Sequence, residues 1–247
     1  MCTLTVAVGL WPQWPLLVAA NRDEQLDRAS LPPRAWQGER WRFFAPEDAV
    51  AGGTWLGLNQ RGLFVGVTNR FGAPPDPARR SRGLLVRDLL DFDDAGTAAA
   101  HAAALDPAAY NPFHLILADR EGAHRLFHDG VRMQGEVLAP GWHVVTERSL
   151  GAGSSERPGF VQRAVQALPP ATPPDDEALL RILSHHDDPG FEGVCVHAPR
   201  WNYGTRSSTL LRLGAAPGAV HWHHVDGPPC TTPCSDLSLA ARTALQW

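Results

Sequence analysis

The 247-residue chain is long enough to bury a full hydrophobic core, and we interpret residues 1–247 as a single domain. Its formal net charge is −4 and its 22 basic residues are all arginine, so the composition does not indicate a nucleic-acid-binding protein. No apolar run approaches the roughly 18 residues that a membrane-spanning helix needs. Trp11 and Pro12 interrupt the N-terminal segment early, which argues against a signal peptide. We therefore expect a cytoplasmic protein with no integral membrane segment and no nucleic-acid partner.

The first third of the chain is predicted to form two β-hairpins. Apolar runs predict four strands, at Cys2–Val8, Leu16–Ala20, Thr54–Leu58 and Leu63–Thr68. The first hairpin is expected to end at Asn21–Glu24, with the sequence NRDE, and Gln60–Gly62 is the predicted turn of the second. Between the hairpins, the Pro-, Arg- and Trp-rich stretch to about Asp48 is predicted to be irregular.

Helices and strands share the rest of the chain. A helix is predicted after Ser81, a preferred N-cap residue, and further helices are predicted over 94–105, 156–168 and 175–184. Six runs read as strands: FHLILAD, HRLFHDG, WHVVTE, GVCVHA, SSTLLRL and AVHWHHV. Hairpins with helices inserted in pairs predict an α+β fold, in which sheets pack together and helices cover them.

The cysteine at position 2 is the first candidate for chemistry. If Met1 is removed, Cys2 carries a free thiol and a free α-amine, whose ordinary pKa values are about 8.5 and about 7.7–8.0. An amine in this range can act as the general base for the thiol of the same residue. The alternative is a buried or incidental cysteine at the start of a strand, and Cys2 by itself leaves both interpretations open.

Short motifs occur along most of the chain, between Cys2 and about Asp226. They are MCTL, LLVAANRDE, GGTWLGLNQRG, VTNR, SRG, YNPFHLILAD and YGTRSSTLL. Their order resembles that of the NRDE family, the family of transport and Golgi organisation protein 2. This family looks like a branch of the N-terminal-nucleophile hydrolases, which include penicillin V acylase and bile-salt hydrolase. The resemblance implies a four-layer αββα sandwich and a hydrolase that acts on a linear amide or related acyl substrate.

The resemblance also implies roles for single residues. Cys2 matches the nucleophile, and Asp23 matches the acid that contacts its amine. Asn69 matches the residue whose backbone N–H helps to form the oxyanion hole, and Arg206 resembles the arginine near the nucleophile. An arginine lowers the pKa of a neighbouring thiol, and N–H groups stabilise an oxyanion. We expect these four residues to be catalytic, although a turn, a cap or a salt bridge is an alternative role for the last three. The residues expected to contact substrate or ligand are Asn21, Arg22, Trp55 and Glu147.

Glu147 departs from the family pattern. The family usually has a Ser-Asn pair after the strand that GWHVV matches, whereas this chain has Thr146 and Glu147. In the acylases an Asn side chain from this region is the second oxyanion donor, and an ionised carboxylate cannot donate. Losing one donor raises the barrier by roughly 2.7–4 kcal/mol. Glu147 is therefore expected to point away, to be protonated, or to mark a site that hydrolyses amides poorly.

Two other functions remain open at this level. The family has been linked to haem mobilisation and to lipid metabolism, so a non-catalytic haem- or lipid-binding protein is one alternative. A specialised biosynthetic enzyme that reuses the same pocket is another. His221 and His223 lie on one face of a predicted strand, where they bind haem or belong to an ordinary strand surface. Cys230 and Cys234 lack CxxC spacing, so no metal ion is predicted, and haem is the only cofactor-like ligand considered.

Overall fold

Two seven-stranded antiparallel sheets form the body of the protein. The computed structural model describes residues 2–72, 74–187 and 190–247. Sheet A contains β1 (Cys2–Trp11), β2 (Trp14–Gln25), β10 (Gly141–Thr146), β11 (His197–Ala198), β12 (Tyr203–Leu213), β13 (Val220–Val225) and β14 (Ser235–Asp236). Sheet B contains β3 (Ser30–Gln37), β4 (Arg42–Asp48), β5 (Leu56–Asn59), β6 (Phe64–Asn69), β7 (Phe113–Ala118), β8 (Ala123–His128) and β9 (Met133–Leu138). The order in sheet A is β10-β1-β2-β12-β13-β14, with β11 on β12, and sheet B runs in sequence from β3 to β9.

Within the described residues, four α-helices cover the outer faces of the two sheets: α1 (Arg82–Leu89), α2 (Ala95–Ala103), α3 (Arg157–Gln166) and α4 (Asp176–Leu183). A fifth helix, α5 (Ser238–Leu245), packs Ala241, Ala244 and Leu245 into the core between the sheets. The apolar residues of α1 and α2 pack on sheet B, and those of α3 and α4 pack on sheet A. The resulting layer order is helix, sheet, sheet, helix, which confirms the predicted αββα sandwich. None of the helices in the described ranges has the length and apolar character needed to cross a membrane.

Strand β2 is buried on both faces, and this decides where its polar residues point. Val18 contributes to the core between the sheets, whereas Leu17 contributes to the core under α3 and α4. Successive side chains of a strand alternate between faces. Arg22 therefore projects on the Val18 side, toward sheet B. Asn21 and Asp23 project on the Leu17 side, toward the helices.

Most of the sequence-based elements are confirmed. Both N-terminal hairpins form, and Ser81 caps α1 by accepting a hydrogen bond from Gly83 N at 3.2 Å. The irregular stretch predicted before Asp48 is wrong, because β3 and β4 lie there. The proline-rich β3 is an edge strand with an irregular register between Leu31 and Arg34, and an edge strand tolerates prolines there.

The C-terminal half contains further corrections. Strand β9 and helix α5 were not predicted, and GVCVHA forms a strand only at His197–Ala198. Cys195 is nevertheless fully buried, as the apolar pattern of that segment indicates. Burial and β-pairing are separate properties, and the pattern of apolar residues reports only the first.

Candidate functional site

Cys2 lines a cleft of about 540 Å³ whose walls come from both sheets. Cys2 is the first residue of β1 and pairs in register with Arg22 of β2, so the two side chains leave the same face of sheet A. Trp55, Asn69 and Arg82 line the opposite wall. Asn69 ends β6 of sheet B, Trp55 directly precedes β5, and Arg82 begins α1. Four of the residues expected from the sequence thus meet in one cleft: Cys2, Arg22, Trp55 and Asn69.

The thiol of Cys2 is buried and has charged groups of both signs nearby. Its Sγ lies 4.0 Å from the backbone oxygen of Asp23. Burial raises the pKa of the Cys2 thiol, and the nearby Asp23 charge adds to this effect while the Arg22 guanidinium opposes it. Arg22 is itself buried, with its Cζ 4.3 Å from the centroid of the Trp55 ring, and this burial lowers its pKa. Arg22 and Arg82 are therefore cationic neighbours of the thiol.

Arg206 does not occupy the position that the sequence suggested. It lies at a β-bulge in β12, where the register shifts between Thr205 and Ser207. Two residues of a bulged strand face one residue of its partner, so Arg206 and Ser207 both lie opposite Arg22. Within the described ranges, Arg206 neither lines the Cys2 cleft nor forms an ion pair with Asp23. Its Nε has no hydrogen-bond partner among those residues.

Asp23 belongs to a buried polar cluster on the other face of β2. Its Oδ1 accepts a 2.6 Å hydrogen bond from Thr205 Oγ1, and its Oδ2 accepts a 3.1 Å bond from Arg157 Nη1. Both side chains of the Asp23–Arg157 ion pair are excluded from solvent. Burial raises the pKa of the Asp23 carboxyl, and the charge of Arg157 opposes this shift.

Glu147 shares the same arginine. Its Oε2 lies 3.9 Å from Arg157 Nη1, and its Oε1 lies 3.8 Å from Arg148 Nε. Only 4% of the residue is exposed, and burial raises the pKa of its carboxyl despite the charge of Arg157. Of the three expectations for Glu147, this environment favours the protonated form. Glu147 directly follows β10, whose Thr146 pairs with Thr3, so it lies beside the Cys2 end of β1.

Arg157 was not identified from the sequence. It is the first residue of α3, in the segment GAGSSERPG, which reads only as a loop that leads into a helix. Its guanidinium also donates to the backbone oxygen of Phe191. An arginine near a helix start is normally exposed, so no local signal predicts its burial.

A second cleft of about 540 Å³ adjoins the first. Asn69 and Arg82 line both clefts, and Glu147 lines the second. Asn69 is the exposed last residue of β6 and stands at the border between them. Arg82 donates from Nη1 to Pro112 O at 2.9 Å, and burial lowers its pKa. Arg82 belongs to the quoted SRG motif, but no role followed from the sequence.

Two glycines of the quoted motifs explain how Arg82 reaches the cleft. Thr54 N donates to Gly83 O at 3.1 Å, which joins the start of α1 to the segment before β5. A Cβ added to Gly53 would lie 2.3 Å from the carbonyl carbon of Gly83, so this approach requires glycine. The GGTWLG and SRG motifs therefore dock α1 beside Trp55.

Asn21 does not face the cleft, contrary to the expected ligand contact. Its Nδ2 donates to Leu183 O and to Val194 O, both at 2.9 Å. Its Oδ1 accepts a 2.6 Å hydrogen bond from Ser208. These bonds link β2 to the end of α4 and to the segment at Val194, so the role of Asn21 is structural.

The histidines considered for haem also lie outside the Cys2 cleft. His223 Nδ1 is 2.7 Å from Asp176 Oδ2, and its Nε2 is 3.5 Å from Asp236 Oδ1. The His221 ring packs against Trp14 in a tilted arrangement, with ring centroids 4.7 Å apart. These contacts give both histidines a structural role and do not favour haem at this strand.

Known proteins resemble this chain both in sequence and in fold. Residues 1–223 match the family model for Transport and Golgi organisation 2. A human Transport and Golgi organization protein 2 homolog is 30% identical over 232 residues, which cover 81% of this chain and 82% of the relative. A structure of a Caenorhabditis elegans N-acylethanolamine-hydrolyzing acid amidase ortholog is 14% identical with a TM-score of 0.62, covering 85% of this chain and 92% of that one. A mutant of the conjugated bile acid hydrolase from Clostridium perfringens is 10% identical with a TM-score of 0.50, covering 97% of this chain and 93% of that one. The chain therefore belongs to the Transport and Golgi organisation 2 family and has the fold of the N-terminal-nucleophile hydrolases.

Proposed function

We propose that this protein hydrolyses a linear amide or related acyl substrate through Cys2, once Met1 has been removed. The observation that carries the proposal is the arrangement at the start of β1. The Cys2 thiol lines a cleft, and the Asp23 carboxyl is held one residue beyond the Cys2–Arg22 pair by Thr205 and Arg157. The backbone nitrogen of Cys2 becomes the α-amine once Met1 is removed, and it is assigned the role of general base. Met1 is outside the described residues, so its removal stays a prediction.

The proposed reaction proceeds through a thioester. The neutral α-amine takes the proton of the thiol, and the sulfur attacks the carbonyl carbon of the substrate. The tetrahedral intermediate collapses when its C–N bond breaks, and the α-ammonium returns the proton to the leaving amine. Water then attacks the thioester with the α-amine as base, the C–S bond breaks, and the acid and the free thiol are released. Asn69, at the border of the clefts, is assigned to the oxyanion through its backbone N–H.

When Glu147 is protonated, the buried cluster of Asp23, Arg157 and Glu147 has no net charge, so the α-amine can remain neutral. Asp23 and Arg157 then balance each other, and no further cation is needed. A protonated carboxyl can also donate a hydrogen bond, which an ionised one cannot. Glu147 in this form would replace the asparagine donor of the acylases instead of opposing the oxyanion. The departure from the family pattern is then compatible with hydrolysis.

The arginines of the cleft favour an anionic substrate. Arg28 lies 2.7 Å from Asp48, and Arg80 is similarly paired with Asp88, which neutralises these two side chains. The described hydrogen bond of Arg82 goes instead to a backbone carbonyl, so its charge is not cancelled there. Arg22 lies beside the thiol but is 4.0 Å from Glu24, so Arg82 is the side chain that suits an acyl amide carrying a carboxylate or another anion.

The test is a matched panel of N-acyl glycines and N-acyl ethanolamines, which differ mainly in the carboxylate. Cys2→Ala is expected to abolish turnover, whereas the exposed Cys234→Ala is expected to leave it unchanged. Arg82→Gln is expected to raise KM for the acyl glycines more than for the acyl ethanolamines. Each preparation needs an intact-mass measurement to establish whether Met1 is absent.

Two results would overturn the proposal. One is full retention of Met1 in the producing cell, because the mechanism needs the α-amine. The other is no turnover across the panel by protein that has lost Met1, together with saturable haem or lipid binding that survives Cys2→Ala. The second result would favour the binding protein instead.

A further inference from the structure

Four side chains that can ligate a transition metal converge beside β12, outside the Cys2 cleft. They are His186, Cys195, His197 and Cys230. We propose that these residues bind a zinc ion through two cysteine sulfurs and two histidine nitrogens. The inference goes beyond the proposed hydrolysis and does not depend on it. It also departs from the sequence analysis, which predicted no metal ion.

The distances between ligand atoms match those of a zinc site. Cys195 Sγ lies 3.7 Å from Cys230 Sγ, and His197 Nε2 lies 3.4 Å from the first sulfur and 3.1 Å from the second. With Zn–S near 2.3 Å and Zn–N near 2.0–2.1 Å, a tetrahedral site has S–S edges of about 3.8 Å and S–N edges of about 3.5 Å. The three atoms therefore already outline one face of the coordination tetrahedron.

His186 completes the set. Ligand atoms of His186, His197 and Cys230 all lie within 4.8 Å of one another, and the two imidazole rings meet edge to face at 5.1 Å. The His186 side chain is exposed, so a rotation of its ring can close the remaining distance to an ion. Two thiolates and two imidazoles are a common ligand set of structural zinc, and thiolates disfavour magnesium and calcium.

The protein scaffold holds the segments that carry these ligands. Asn21 binds the backbone of Leu183 and Val194, and Cys195 N donates to His185 O at 2.8 Å. These contacts bring the end of α4 and the Cys195 segment together without a metal ion. The asparagine of the NRDE motif therefore preorganises the proposed zinc site.

A disulfide is the competing use of the same cysteines. A sulfur–sulfur bond is about 2.03–2.05 Å long, whereas the Cys195 and Cys230 sulfurs lie 3.7 Å apart as free cysteines. Two histidines at the same place have no part in a disulfide, but they are needed for zinc. The ligand set therefore favours metal binding over oxidation.

The site also lies next to the catalytic candidate Asp23. Val196, between Cys195 and His197, donates from its backbone N to Thr205 Oγ1 at 2.8 Å. Thr205 Oγ1 in turn donates to Asp23. A zinc ion held by both neighbours of Val196 would fix the residue that orients Thr205. We assign the ion a structural role in supporting Asp23.

The experiment measures metal content and cobalt spectra of the full-length protein purified without chelator. Wild-type protein is expected to carry roughly one zinc per chain. After zinc removal, Co²⁺ is expected to give the visible bands and the sulfur-to-cobalt charge-transfer band of a tetrahedral thiolate site. Cys230→Ser is expected to lose the charge-transfer intensity and most of the zinc. The matched control is Cys234→Ser, which is four residues away, exposed, and expected to behave as wild type.

A second variant distinguishes the loss of a metal ligand from misfolding. His186→Ala alters an exposed side chain, and it is expected to weaken Co²⁺ affinity about tenfold or more while the far-UV circular dichroism is unchanged. Cys2→Ala is expected to keep full zinc content, which separates this proposal from the proposed hydrolysis. Wild-type protein without bound zinc and without a cobalt spectrum would overturn the assignment. A Cys195–Cys230 disulfide in freshly purified protein, or equal metal loss in Cys234→Ser, would overturn it as well.

Discussion

Replacing Arg157 by methionine is expected to lower the free energy of unfolding by about 3–5 kcal/mol at pH 7, as for other broken buried ion pairs. The reason is the position of Arg157 between two buried carboxyl groups. Its Nη1 lies 3.1 Å from Asp23 Oδ2 and 3.9 Å from Glu147 Oε2. Methionine keeps the unbranched apolar stem of arginine but carries no charge, so Asp23 loses its ion pair with Arg157 and Glu147 retains only the one with Arg148.

The measurement is urea-induced unfolding, monitored by tryptophan fluorescence and circular dichroism. The control is Arg181→Met on α4, because Arg181 forms an exposed ion pair with Glu177 at 2.9 Å. Exposed pairs of this spacing contribute only about 0.3–0.5 kcal/mol. The double variant Arg157→Met with Asp23→Asn is expected to recover part of the loss, since it removes the buried charge that Arg157 neutralises in the wild type.

The destabilisation is also expected to depend on pH. Burial raises the pKa values of Asp23 and Glu147 above their unfolded values, and removal of Arg157 raises them further. Above a raised pKa the folded variant must hold a buried charge, and below it the group is neutral. The difference from wild type is therefore expected to shrink as the pH falls from 7 toward the unfolded carboxyl range near 4. A loss below about 1 kcal/mol, or a loss that does not shrink in acid, would refute the assigned role of Arg157.

Three further predictions concern the neighbouring residues. Gly53→Ala is expected to cost about 1–3 kcal/mol of stability by overpacking against α1, whereas Gly122→Ala, with open space around it, is expected to be neutral in the same melts. Thr205→Val removes a hydrogen bond to Asp23 and leaves a buried N–H unpaired, so a loss of about 1–3 kcal/mol is expected, with Thr205→Ser retaining most of the stability. Glu147→Asn is expected to keep or raise amide turnover and to remove the loss of activity that ionisation of Glu147 causes in the wild type as the pH rises; an unchanged pH profile would contradict the donor role.

Local patterns were enough to predict much of the fold. Alternating apolar residues predict β1, and the cap at Ser81 with helical spacing predicts α1, because both signals act within a few residues. The order of short motifs identified the family and the αββα sandwich. Strand β3 and helix α5 were not predicted, because prolines obscure the first and the second begins after Leu237, which provides no side-chain N-cap.

The cleft was predicted in part, and the reason lies in strand geometry. Cys2 and Arg22 share one face of sheet A because they pair in register, which the hairpin already implied. Asn21 and Asp23 lie on the opposite face of the same strand. The NRDE motif therefore places Arg22 in the Cys2 cleft and Asn21 and Asp23 on the side of the helices. The bulge in β12 interrupts the alternation of side chains between the two faces of the strand at Arg206. A bulge has no reliable signature in a single sequence.

The sequence by itself determined which chemical groups the protein carries and the local elements that hold them. Only the tertiary structure decided which groups meet. Arg157 reaches Asp23 across 134 positions, and Cys230 reaches Cys195 across 35, with nothing in the intervening residues to indicate either contact. Such encounters depend on how sheets and helices stack, because the energy of packing is shared over the whole core. For that reason neither the ion pair of Arg157 with Asp23 nor the proposed zinc site followed from the motifs, which predicted only the residues around Cys2.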